Sequence, residues 1–275
     1  MKKKIVVASI VGIILISVIA VYFYIFSSSI VPAQAHIESG EVLINGKISS
    51  GMIKLKQKDI IETGENSYAS VIIYESIVIN LEPNTKISIE DLVKNNIEVY
   101  QEKGSTWNTF TKLFGIESYT ARTGTSVASV RGTAFSLREE YLLVGEGEVN
   151  FKIGEKEISV PEMMAAEKKD GELIKREATS EEIKKIIEGK KRAIKELKVL
   201  RNKEIEKNSG LISIAKKRTG IDKQKIIEYL ETEIDEGNVN IDDILSQSPL
   251  QTESIKKVAE LTKTIQKINK DILKL

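Results

Sequence analysis

The residue types that carry most enzymatic chemistry are nearly missing from this chain. Its 275 residues include no cysteine and one histidine, His36. Without cysteine there is no disulfide, thiolate metal site, cysteine nucleophile or redox switch. With one histidine, a Ser/His/Asp triad or a multi-His zinc centre lacks its other members. No phosphate-binding glycine loop or nucleophile motif occurs, so the chain is read as a non-enzyme without metal, cofactor or catalytic residues.

Carboxylates remain. Glu181-Glu182, Glu231/Glu233/Asp235/Glu236 and Asp242-Asp243 cluster, but such charges on amphipathic helices normally form the solvated face. Glycoside hydrolysis by paired carboxylates needs a shared cleft and one raised pKa, which keeps an envelope-polymer hydrolase as the alternative. Facing carboxylates in one groove would favour it. Ile214–Ile227 has a glycine turn flanked by basic residues, as in a helix-turn-helix, the basis of a weaker alternative, a transcriptional regulator. One residue too many separates Ala215 from Gly220 for that motif. Lys+Arg 41 against Asp+Glu 40 also leaves no net field to steer nucleic acid, and no nucleic-acid partner is expected.

Positioning begins at the N-terminus. Lys2-Lys3-Lys4 precede Ile5–Phe26, an uncharged run that spans about 33 Å as a helix, enough to cross a bilayer. The run is longer than a secretory h-region, which favours a retained signal anchor, with Ala33-Gln34-Ala35 as the competing cleavage site. The lysines place the N-terminus in the cytoplasm and the bulk of the chain outside, and Tyr22, Phe23, Tyr24 and Phe26 would form the far aromatic belt. The expected localisation is a single-pass protein of the cell membrane.

Beyond the anchor the composition divides near Arg176. Glycine and aromatic residues concentrate before it, and short β-branched runs alternate with turn residues: Glu41–Ile44, Tyr68–Tyr74, Ile77–Leu81, Lys86–Glu90, Asn96–Gln101, Ser126–Val130, Thr133–Glu139, Tyr141–Val144, Val149–Ile153 and Glu157–Val160. This spacing predicts an all-β antiparallel sandwich or roll, with Asn45-Gly46 as a two-residue hairpin turn. After it, Thr179 and Ser180 cap a helix carrying Ile183, Ile186, Ile187, Ile194, Leu197, Leu200 and Ile205. Asp222 and Asn240 cap shorter helices around Lys225–Ile234 and Ile241–Leu245. In the last helix Val258, Leu261, Ile265, Ile268, Ile272 and Leu275 form an a/d seam. That seam either packs on the Ser180 helix or faces another protein, including a second copy of the chain.

A set of boxes in the β region resembles the FecR family of extracytoplasmic domains. They are Gly40-Glu41-Val42, Asp59–Gly64 with Ser67-Tyr68-Ala69, Leu81-Glu82-Pro83-Asn84-Thr85, Lys103–Trp107, Thr120–Thr123, Ser126–Phe135 and Gly145–Val149. In order and spacing they cover about Gly40 to Ala166. The resemblance implies a non-enzymatic all-β module with a protein or cell-envelope polymer as partner, in a family whose best-known members relay transport signals to a cytoplasmic sigma factor. Only Met1–Lys4 precede the apolar run, so the family's cytoplasmic anti-sigma segment has no counterpart and that relay is not carried over. Within the boxes, Gly64, Gly104, Gly132 and Gly147 fall where left-handed or bulged backbone is expected. Arg131, beside Gly132 and Thr133, is expected to clasp loop carbonyls or Glu62 or Glu82, with an anionic ligand as its other role. Trp107 is expected in the core. The expected organisation is a cytoplasmic stub 1–4, anchor 5–26, linker 27–35, β domain 36–176 and helical region 177–275. Its expected role is that of a binding or scaffolding module of the envelope, with sensing or signalling as the finer possibility.

Overall fold

The computed structural model describes residues 30–275 except 112, 211, 213–215, 218–221 and 248–251, and also Ser17. The stub 1–4 and, but for Ser17, the run Ile5–Phe26 lie outside the described residues, as does much of the helix-turn-helix-like segment. Among the described residues no helix is long and apolar enough to cross a membrane.

Two nine-stranded sheets face each other. Sheet I holds β1 (Ala33–Ser39), β4 (Met52–Leu55), β6 (Tyr68–Ile73), β7 (Ile77–Leu81), β10 (Thr106–Phe110), β13 (Ala134–Arg138), β14 (Tyr141–Glu146), β17 (Met164–Lys169) and β18 (Glu172–Glu177). Sheet II holds β2 (Val42–Ile44), β3 (Lys47–Ser49), β5 (Ile60–Thr63), β8 (Lys86–Val93), β9 (Asn96–Lys103), β11 (Tyr119–Arg122), β12 (Ser126–Val130), β15 (Glu148–Ile153) and β16 (Lys156–Pro161). From β6 onward the chain lays down one or two strands in one sheet, crosses to the other and repeats, so both sheets grow in the same direction. All pairings are antiparallel except β9 with β11. That exception follows from the path, because β10 is laid in sheet I between them and returns the chain to sheet II in its original direction.

The side chains between the sheets form the main core, from Val31 and Ala35 to Phe151 and Val160. A chain of buried polar groups runs through it. The Tyr119 hydroxyl donates to Asn108 Oδ1 at 2.7 Å, Asn108 Nδ2 to Thr106 Oγ1 at 2.9 Å, and Thr106 Oγ1 to Gln101 Oε1 at 2.7 Å. Each member has a partner, as burial requires. Asn45 and Gly46 both have positive φ, at 52° and 75°, and close the β2–β3 hairpin as the sequence predicts. The stretch read as a linker differs from expectation: Ala33 and Ala35 are buried in β1, paired to β4 on one side and β6 on the other. A chain beginning at His36 would lack the first half of this strand.

The outer face of sheet II meets solvent, and β15 shows the resulting strict alternation of exposed and buried residues. Sheet I is covered on both faces, so β7 and β10 are buried at every position. Its outer cover is helical. α1 (Ser180–Lys207) begins with Thr179 and Glu182 in a reciprocal capping box. A short helix α2 (Lys223–Tyr229), capped by Asp222, runs on into a π turn at Leu230–Ile234, and α3 (Ile241–Gln247) and α4 (Glu253–Ile272) follow.

α1 crosses sheet I from one edge to the other. At 28 residues it is about 42 Å long, and nine strands spaced about 4.8 Å apart span about 38 Å. It lies on a single register row, Arg176–Ala165–Leu143–Ser136–Trp107–Asn80–Ser70–His36–Met52, one residue from each strand. Trp107 is the central contact, buried between Ile186 and the sheet. A Cβ built on Gly189 would fall 2.1 Å from its indole, so the helix backbone rests directly on the ring.

α4 covers the neighbouring row. Leu261, Ile265 and Ile268 pack on Ile72 and Val78 of the sheet and on Ile194, Leu197 and Leu200 of α1. Val258 and Ile272 are partly buried against this layer, and Leu275 is exposed. Through Leu261, Ile265 and Ile268 the seam therefore packs on α1 and sheet I, the first of its two expected roles. Where α1, α4 and the π turn meet, Arg201 and Asp235 form a fully buried two-pronged ion pair at 2.5 and 2.9 Å. Asp235, read from sequence as solvated, is held there because Asn269 also fixes its carbonyl and Lys198 its carboxylate.

Replacing a helical glycine by alanine usually stabilises by about 1 kcal/mol. Gly189→Ala should do the reverse and lower the melting temperature by several degrees, because overpacking against Trp107 costs about 1–3 kcal/mol. Gly210→Ala, whose Cβ meets nothing within 4 Å, serves as the control and should leave the melt unchanged or raise it.

Candidate functional site

The row on the other side of α1 is left uncovered. There Tyr141, Arg138, Ser105, Glu82, Tyr68 and Glu38 form the floor of a groove, and Lys185, Glu188, Lys191, Arg192 and Lys195 of α1 form its wall, enclosing about 710 Å³. Tyr68 and Glu38 lie at the end of the sandwich opposite Ile30, because β1 carries the chain about 20 Å from Ala33 to Ser39. Wall residues 185, 188, 192 and 195 recur at helical spacing and put one stripe of α1 along the groove.

Arg192 organises its centre. Its guanidinium donates to Glu82 Oε1 at 2.5 Å and Glu38 Oε1 at 3.0 Å, and lies over the Tyr68 ring at 5.0 Å. Glu38 also accepts from Ser70 Oγ at 2.8 Å and Lys195 Nζ at 3.2 Å. Burial pushes the Glu38 carboxyl up, but the Ser70 hydroxyl and the two cations outweigh it and hold the group below its ordinary value. For Glu82 burial wins over Arg192, reinforced by Glu188 and Glu38, and the group is raised. At the far end Arg138 stacks on Tyr141, 4.2 Å from the ring centre. The Tyr141 hydroxyl donates to Glu182 at 2.5 Å, and Arg176 grips the same carboxylate at 2.8 and 2.9 Å. Glu182 is thus buried, contrary to the solvated role read from sequence, and the Arg176 hydrogen bonds hold it well below the carboxylate range.

This arrangement presents charged side chains together with hydroxyl groups. Glu38 and Glu82 share the groove with one carboxyl lowered and the other raised, and both are bound to Arg192. Among the described residues no cluster of three or more His, Asp or Glu side chains is placed to hold a metal ion.

The residues named from sequence lie elsewhere, apart from Trp107, whose buried side chain closes the groove floor. Gly132 has φ 83°, as expected of it, whereas Gly64 is not left-handed. Thr133 is buried. Arg131 is exposed at this turn and makes no hydrogen bond or ion pair among the described residues. The expected clasp fails because its presumed partners are already taken: Glu62 pairs with Lys103, and Glu82 with Arg192. Sequence reasoning missed the groove residues. Tyr68 and Glu82 stood inside recognised boxes, but Arg192 in Lys190-Lys191-Arg192 carried no signal, since only the tertiary dock turns it inward.

His36 lies in the central row beneath α1. Its Nδ1 is 2.8 Å from Glu196, a fully buried carboxylate whose other oxygen has no partner among the described residues. The Glu196 hydrogen bond raises the imidazole above 6.5 despite burial, Glu38 adding to the rise and Lys195 opposing it.

With this geometry in hand, comparisons place part of the chain. Residues 59–153 match the FecR protein family. The FecR match runs from just before β5 to the end of β15, narrower than the boxes' Gly40–Ala166. It contains Tyr68, Glu82, Ser105, Arg138 and Tyr141, while Glu38 and Arg192 lie outside it. Two crystal structures of a candidate anti-sigma factor from Parabacteroides distasonis ATCC 8503, at 2.50 and 1.65 Å, are similar at 17% identity and TM-score 0.40, covering 44% of this chain. The chain spans 61% of the length of each. No curated protein matches it.

Two outcomes follow for the residues in question. Arg131→Ala should change stability by no more than about 0.5 kcal/mol, read by denaturant melts. His36, with its folded-state pKa raised, stabilises fully below about pH 6.5 and loses that contribution as pH rises through the folded value. The melting-temperature advantage of the parent over His36→Gln should therefore shrink as pH rises above about 6.5, beyond the carboxylate range. A difference constant with pH would show that the pair does not couple to folding.

Proposed function

We propose that the chain is a membrane-anchored, extracytoplasmic FecR-like module that binds a protein or envelope polymer in the groove beside α1, in a sensing or signalling role. The observation that carries this is the groove itself, because a FecR-family floor is completed by a wall from the chain's own C-terminal helix. The anchor reading rests on the uncharged run behind three lysines. On that topology the groove opens at the end of the sandwich away from the point where the chain leaves the membrane. The hydrolase reading is supported by one feature, the Glu38–Glu82 pair with pKa values moved apart. Against it, both carboxylates are bound to one guanidinium, which leaves neither as a free proton donor.

Three measurements test this. Protease added to spheroplasts should remove a C-terminal tag, and a tag cut only after lysis would overturn the orientation. The chain lacks cysteine, so Ser105→Cys labelled after folding with a bulky maleimide blocks the groove without disturbing folding. In detergent, unlabelled protein should co-sediment with detergent-extracted cell envelopes, which hold no membrane for the anchor, and labelled protein should not. Envelope polymer incubated with the protein should release no new reducing ends, and release abolished by Glu82→Gln would establish the hydrolase instead.

A further inference from the structure

The groove, taken as the binding site of the preceding reading, also carries information about the chemistry of its occupant. Its carboxylates Glu38 and Glu82 are neutralised internally by Arg192 and Lys195, and Glu188 is the remaining acid of the wall. The cations are left in excess. Arg138, Lys185 and Lys191 have no carboxylate partner among the described residues, and all three are exposed. Arg138 is the most committed of them: its guanidinium lies over the Tyr141 ring at 4.2 Å, is exposed, and has the fork of donors that suits a carboxylate. Lys185 and Lys191 stand about 9 Å apart along α1, so the cations are spread along the groove.

The floor decides between kinds of linear anion. The strands beneath it, β1, β6, β7, β10, β13 and β14, are all interior strands of the sheet. A peptide therefore finds no edge on which to add as a strand. Apolar side chains find little depth, because Trp107 and Leu143, which line the groove, are buried beneath α1. What the floor offers instead is hydroxyl groups, those of Ser105, Ser136 and Tyr68. We propose that the groove recognises a carboxylate-bearing polysaccharide, its hydroxyls met by the floor and its acid groups by Arg138, Lys185 and Lys191.

The test is calorimetric titration of the full chain in detergent micelles with oligogalacturonate, its methyl ester and polyglutamate of equal charge. Oligogalacturonate should bind, and Arg138→Glu with Lys185→Glu and Lys191→Glu should weaken it at least tenfold with an unchanged melting temperature. The methyl ester should not bind. An ester that binds equally overturns the carboxylate assignment, and polyglutamate that binds equally with the same loss overturns the polysaccharide. If oligogalacturonate does not bind while blocked Ser105→Cys still loses envelope sedimentation, this ligand class is wrong and the groove remains the site. If the blocked protein sediments like the unblocked one, the groove itself is excluded.

Discussion

The contact between α1 and sheet I is the constraint on which the other features depend. A nine-stranded sheet whose outer face carries Trp107, Leu143, Ile72 and Val78 among buried polar groups needs a cover as wide as itself, and one helix of 28 residues supplies that width. The cover is fixed at intervals by unlike interactions: the Arg176–Glu182 fork at one edge, the Trp107–Gly189 contact in the centre, and the His36–Glu196 pair towards the other edge. Once α1 lies on its row, α4 has a second row to fill. The row left over becomes the groove.

The fixing points illustrate how electrostatics works in this chain. Net charge is close to zero, yet the pairs that matter are buried or half-buried and join residues far apart in sequence, as in Arg201–Asp235 and Arg192–Glu38. Removing one partner of such a pair leaves an uncompensated charge, which is why buried pairs hold elements in register more firmly than their net contribution to stability suggests. The many exposed lysine–glutamate pairs, by contrast, contribute little.

Several features were legible in the sequence because they are local. The Asn45-Gly46 turn, the Thr179 and Asp222 caps and the strand at Val149–Ile153 announce themselves through turn chemistry, capping residues or alternation. β10 escaped because a strand covered on both faces loses its alternation, and Thr106–Phe110 reads as neither polar nor periodic. β17 and β18 escaped because their lysines and glutamates resemble a linker, the usual disguise of strands at a sheet edge. Glu182 and Asp235 looked like solvated helix charges, since sequence does not show which face of a helix another element will cover. For the same reason the boxes held three of the six floor residues, Tyr68, Glu82 and Ser105, and gave no hint of the wall supplied by α1.

The zig-zag path of the chain bears on how the molecule is made. Strands that touch are mostly near neighbours in sequence, so the two sheets can assemble progressively as the polypeptide emerges, without waiting for distant segments. Their cover is encoded last. Until residues 180–272 arrive, Trp107, Ile72 and Val78 stand uncovered on a completed sheet, and a nascent chain halted before α1 would present a broad adhesive surface. The same order sets a rule of proportion for change. Each strand added to sheet I widens it by about 4.8 Å, which three further residues of α1 would be needed to span, so strands and strap can lengthen only together.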